Sequence, residues 1–177
     1  MRTTVALLIA LFAADWRDFP NRVENESATR LMATAERLGD GRHNDADTVR
    51  TLRAEIISNP PPVWAQQIND IHRPPTPPLG RHMRVFRTLS ADATARHASG
   101  DDRAAWADLH AIWILSRSLW ARPEAWSINT AATGTRIVIT VAATLAPPRP
   151  AWFAEVTTFD VRRPLIRSIE YEAWLRA

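Results

Sequence analysis

"GDDRAAWADLHAIWILSRSLWARPEAW", Gly100 to Trp126, is the stretch on which the reading of this chain turns, because Trp106, Trp113 and Trp120 recur in it every seven residues. At about 100° per residue on a helix, Ala105, Leu109, Ile112, Leu115, Leu119, Trp113 and Trp120 fill an arc about 160° wide. The three tryptophans gather at one edge of that arc, where His110 and Arg117 open the polar face. An indole at such an edge buries its ring body and keeps its N–H near water. The row therefore reads as the margin of a packed core, as an aromatic groove for a partner, or as a membrane-facing stripe, and the core margin is the ordinary fate of such residues. Arg117, four residues after Trp113, is within reach of its ring for a cation–π contact of about 0.5–1 kcal/mol. Asp108 and Ser116 point into the apolar arc. A buried carboxylate is costly unless paired, and the expected partner is Arg96 on the preceding helix, with Arg84 second.

Working outward, Gly100 stops a helix from Arg81 to about Ser99 that carries Met83, Phe86, Leu89 and Ala93 on adjoining rows. Nearer the N-terminus, Asn21 is positioned to cap a helix that stops at Gly39, and Asp47 to cap a second that ends before Asn59-Pro60-Pro61-Pro62. Pro62 suits the first turn of a third helix with Trp64, Ile68 and Ile71 on one side. "RPPTPPLGR" then reads as an extended connection. After Trp120, Pro123 opens a helix to about Ala146. Its "TRIVITVAATL" is rich in β-branched residues, yet a lone strand would have no partner strand. "AWFAEVTTFD" makes a short helical turn or two, and Pro164 opens a last helix to Trp174 with Leu165, Ile169 and Ala173 aligned. The expectation is an all-α fold of antiparallel helical hairpins, about six helices. They form a single α-helical domain over residues 20–177, preceded by an N-terminal apolar segment over residues 1–19.

Composition limits the partners. Hydrophobic residues at 46% with 23% charged residues describe a globular chain. All 22 basic residues are arginine, which does not titrate below about pH 12. A net charge of only +3 therefore gives a pI near 10.7 without a strongly basic surface. Nucleic acid is not an expected partner. The absence of cysteine excludes disulfides and thiol chemistry. At the N-terminus, the uncharged run from Thr3 to Ala14 makes about 18 Å of helix, short for a hydrocarbon core of about 30 Å, and no Ala-x-Ala cleavage site follows it. It reads as a signal-like segment, a truncated anchor or an ordinary buried first helix. With Arg2 before the run and Asp15 and Asp18 after it, insertion would leave the body outside the cytoplasm.

Motifs for chemistry are sparse. The five histidines, His43, His72, His82, His97 and His110, form no HExxH and no His pair at i, i+4, so zinc-ligand spacing is absent. One coincidence stands out: His97 and His110 flank the Gly100 turn, with Asp101, Asp102 and Asp108 nearby in sequence. Ser116 and Ser118 sit mid-helix, without the strained turn of a nucleophilic serine. Arg81, Arg84 and Arg87 form a basic face beside Met83 and Phe86. The candidate interaction surface is accordingly Arg81, Arg84, Arg87, Trp106, His110, Trp113, Arg117 and Trp120, with no catalytic, metal or cofactor residues assigned. The expected function is a non-catalytic helical scaffold or protein-interaction module of the bacterial cell envelope, with a protein partner and, second, an anionic membrane surface. The alternative is a helical hydrolase or metal-dependent enzyme using the histidines and carboxylates near the Gly100 turn.

Gly100-Asp101, with Ala105 five and Leu109 nine residues after the glycine and Pro123 beyond the second helix, resembles one tetratricopeptide-type hairpin. The likeness spans about one unit of that family's period of roughly 34 residues. More broadly, "NESATRL", "NPPPVW", "AWADLHAIWILSRSL" with "RPE", and "FDVRR" followed by "EYEAW" make the chain similar to a group of uncharacterised bacterial membrane-anchored helical proteins. That resemblance implies a location and a helical fold, and no activity.

Overall fold

A computed structural model describes residues 19, 21–38, 45–66 and 78–175. The apolar run at residues 3–14, His43 and His72 lie outside the described residues. Among those described there are seven helices and no strand: α1 Glu26–Arg37, α2 Ala46–Ser58, α3 Leu79–Ala98, α4 Asp102–Trp120, α5 Ala125–Ala142, α6 Phe153–Thr158 and α7 Arg162–Trp174. The architecture is all-α.

The wide apolar arc of Gly100–Trp120 makes α4 the centre of the core. It packs against α2, α3 and α5, and Leu109, Ile112, Leu115 and Leu119 are fully buried. The turn from α3 into α4 depends on Gly100, whose φ of +83° lies in the left-handed region that glycine adopts without a Cβ clash. Asp101 then caps α4 by accepting the Ala104 N–H at 3.1 Å. The β-branched stretch after Pro123 is helical because its small and apolar residues recur at helical spacing: Ile128, Ala131, Gly134, Val138 and Ala142 are all buried. Gly134 is where α5 comes closest to its neighbours. A Cβ there would lie 2.6 Å from Phe86 Cζ and overlap Ser116 Oγ.

Three local expectations are corrected. α1 is capped by Asn25 rather than Asn21, its side chain accepting the Ala28 N–H at 3.0 Å. α2 is capped by Asp45 rather than Asp47, through the Thr48 N–H at 2.8 Å. The helix expected from Pro62 does not form over residues 62–66, and its continuation lies outside the described residues. That stretch is extended, with Arg22 and Gln66 exchanging backbone hydrogen bonds of 2.9 and 3.0 Å. Asn25 holds it as well: its Oδ1 accepts the Val63 N–H and its backbone N–H donates to Val63 O. One asparagine side chain thus serves as both helix cap and clamp.

Asp108 is fully buried, as its place in the apolar arc requires, but its partner is neither Arg96 nor Arg84. Arg53 reaches over from α2 and donates to Asp108 Oδ1 at 2.9 Å. Arg53 also lies 3.6 Å from Asp92, and Asp92 is the carboxylate that engages Arg96, at 3.3 Å. Asp108 Oδ2 has no hydrogen-bond partner. Burial pushes the Asp108 carboxyl up to about 7, opposed by the Arg53 charge and reinforced by Asp92.

Candidate functional site

The tryptophan row lies under the chain's own C-terminal segment. Trp113 is 1% exposed, and Trp106 and Trp120 are also buried. Phe153 and Trp152 meet Trp106 edge-on at 5.4 and 5.9 Å. Phe159 meets Trp113 at 5.5 Å and an 85° angle, and it contacts Trp120 at 5.7 Å. Edge-to-face rings at such distances contribute about 0.5–1.5 kcal/mol each beyond burial. The indole N–H groups are used too: Trp113 donates to Glu155 Oε2 at 3.0 Å and Trp120 to Thr135 Oγ1 at 3.1 Å. Trp106 Nε1 is buried without a partner. Arg117 pairs with Glu155 on α6, instead of lying over the Trp113 ring.

Beside this covered row a cleft of about 310 Å³ remains open between α4, the extended Pro61–Trp64 stretch and Glu155. Trp64 closes one end of it. Its Nε1 donates to Ser118 Oγ at 2.9 Å, and its ring meets the buried His82 edge-on at 4.5 Å. Burial lowers the His82 pKa to about 4, so this histidine is a neutral group behind Trp64, hydrogen-bonded through Nδ1 to Pro78 O. The cationic groups are Arg22, Arg117 and Arg122. Arg122 is buried and held in a two-point pair with Glu124 at 2.6 and 2.9 Å. Arg117 is shared with Glu155. The apolar walls are Val63, Ile114 and the Trp113 ring.

His110 stands between this cleft and a second one of about 610 Å³, which runs along Trp106, Arg103 and the Pro147–Pro150 stretch. Its ring stacks on Trp152 at 4.7 Å and 17°, and burial lowers its pKa. It is thus fixed in place as a flat, largely neutral aromatic group.

The His97, His110, Asp101, Asp102 and Asp108 set is not assembled into one site. His97 Nδ1 is bonded to Asp102 at 2.6 Å, His110 is stacked on Trp152, and Asp108 faces Arg53. Among the described residues no three histidine or acidic side chains converge to hold a metal ion. Both mid-helix serines are committed to structure. Ser116 donates to Ile112 O, and Ser118 donates to Leu115 O while accepting from Trp64. On α3, Arg81 is bonded to Glu36 of α1 at 2.7 Å, Arg84 is half-buried and Arg87 exposed. The basic face is therefore partly spent on joining α3 to α1.

The sequence pattern marks His110, Trp113 and Arg117 but leaves Arg22, Val63, Arg122 and Glu155 unmarked. One signal was available for the covering segment: Trp152 and Phe159 are seven residues apart, the same interval as the tryptophans they cover. Comparison with protein-family models, with curated proteins and with solved structures finds no match for this chain.

Proposed function

We propose that this protein is a non-catalytic helical interaction module of the bacterial cell envelope, with its α3–α4 hairpin serving as a single tetratricopeptide-like unit. Its partner on this reading is a protein segment that enters the cleft beside α4 in extended form. The observation that carries the reading is the state of the tryptophan row. Residues 152–159 already fill the groove over Trp106, Trp113 and Trp120, and the space left beside them is walled by an extended stretch with Val63 exposed at its lip. Apolar walls with Arg22 and the Glu155-paired Arg117 beside them suit a short run of apolar residues next to a carboxylate. Every serine and histidine near the cleft has a packing or hydrogen-bonding partner, which supports binding over hydrolysis. The envelope location is supported by the uncharged run at residues 3–14 and its flanking charges. No helix among the described residues is long and apolar enough to cross a membrane.

The test is selection of a displayed random-peptide library on the full chain and on Val63→Glu, a change at an exposed residue that places an acid in the cleft. The parent is expected to enrich peptides with an acidic group beside aliphatic or aromatic residues, and Val63→Glu to weaken them at least about tenfold, or 1.4 kcal/mol. Equal binding by the two proteins would remove the cleft from the account. Stoichiometric bound metal, with a hydrolytic activity lost in His97→Ala, would replace this reading by the enzyme alternative.

A further inference from the structure

A helix on the surface of a globular protein normally turns its apolar stripe inward. α7 does the reverse. It rests on α5 through its other side, with Tyr171 and Ser168 buried, while Leu165, Ile166 and Ile169 are 43%, 53% and 62% exposed. Val161, just before the helix, extends the same face. At the far edge, the Ala125 N–H donates to Glu172 at 3.3 Å, which brings the start of α5 against α7. Trp126 is there, 67% exposed. Arg162 and Arg163 are both exposed in the first turn, where Arg162 is paired with Asp160 at 2.9 Å. An outward apolar face with a tryptophan at its margin and arginines at one end has the make-up of a helix lying in a bilayer interface.

The chain also ties α7 to the apolar run, from the side of the helix opposite the exposed row, where Tyr171 is buried. Phe19 is buried against α7, edge-on to Tyr171 at 5.2 Å, with the Arg167 guanidinium 5.7 Å from its ring. Residues 15–18 alone separate it from the uncharged run ending at Ala14, and the chain from Ala14 to Phe19 spans at most about 17 Å. With that run in a bilayer, α7 is held within about one helix length of the lipid surface.

We infer that α7 is a membrane-surface helix, with Leu165, Ile166 and Ile169 in the acyl boundary of an anionic bilayer and Arg162 and Arg163 at its headgroup phosphates. The inference rests on the envelope location proposed above.

The chain has no cysteine, so full-length Ile169→Cys can be labelled at one thiol with a polarity-sensitive fluorophore, with Ala95→Cys on α3 as the reference. The probes are vesicles of phosphatidylcholine and phosphatidylglycerol in equal parts, and of phosphatidylcholine alone. The label at position 169 is expected to shift to the blue with the anionic vesicles, the one at 95 to stay unchanged, and Arg162→Gln or Arg163→Gln each to weaken partition about fivefold. Co-sedimentation with a silent label at 169 would overturn the assignment of α7 and leave the envelope location standing. A label already blue-shifted in buffer would also overturn it, since residues 3–14 or a second copy would then cover the face. Failure to co-sediment with either vesicle would remove the envelope location and the inference together.

Discussion

α4 and α7 carry rows of large apolar side chains at helical spacing, and the protein treats the two rows in opposite ways. In α4 the row is buried on one side by α2, α3 and α5, and the tryptophan margin is closed by residues 152–159. In α7 the row of Val161, Leu165 and Ile169 faces outward, and the helix is held by Tyr171, Phe19 and its contacts with α5. Periodicity in a sequence says that an apolar face exists. It does not say whether the same chain covers it.

The contrast has energetic consequences that mutation can break. The largest is at Trp113, whose loss leaves a cavity the size of an indole beneath Phe159. Trp113→Ala is expected to destabilise the protein by about 3–5 kcal/mol in denaturant unfolding. A variant as stable as the parent would mean that the row is not a core margin and would return it to the exposed surface.

The buried cluster on the inner side of α4 gives a pH signature between acid and neutral pH, whereas the buried Tyr171 of α7, pushed up to about 12, gives one only in alkali. The folded-state pKa of Asp108 is raised from an ordinary 3.8 to about 7, so between these values the folded protein holds a proton that the unfolded chain has released. The contribution of this group to stability is thus fully present below about pH 4 and lost as pH rises through about 7. The buried His82, lowered to about 4, contributes in the opposite direction over much of the same range, so Asp108→Asn should make melting temperature rise more steeply with pH between about 4 and 7 than in the parent. An unchanged slope would place the titrating group elsewhere.

The smallest effect is expected on α7. Ile169→Ser removes a large apolar side chain from a helix, as does Trp113→Ala, but it takes that side chain from solvent. Its cost should lie within about 0.5 kcal/mol. A loss of several kcal/mol would mean that something covers the α7 face in solution even without lipid.

The sequence made the helices legible because most of them satisfy local rules. The Gly100 turn, the amphipathic α3 and α4 and the helical reading of the β-branched stretch all follow from residues within a turn or two of one another. Apart from the α2 cap, which Asp45 takes from Asp47 by a local bond to Thr48, the failures share a physical cause, which is bonding across a long stretch of chain. Asn25 outcompetes Asn21 as a cap because the same side chain also holds Val63, and the Pro62 stretch is extended because Arg22 and Gln66 pair. Arg53 is the partner of Asp108 although 55 residues separate them, and no periodicity could single it out among 22 basic residues. The candidate site was half legible for the same reason. Its α4 residues follow from the helical wheel, whereas Arg22, Val63 and Glu155 arrive from three other places in the chain.

The central claim is that residues 152–159 lie on the tryptophan margin of α4, and a double-mutant cycle between Trp113 and Phe159 tests it most directly. Unfolding free energies of the parent, Trp113→Ala, Phe159→Ala and the double variant should give a coupling of about 0.5–1.5 kcal/mol, the range for an edge-to-face ring pair. A coupling indistinguishable from zero, with Phe159→Ala as stable as the parent, would contradict the account and leave the tryptophans as an open groove.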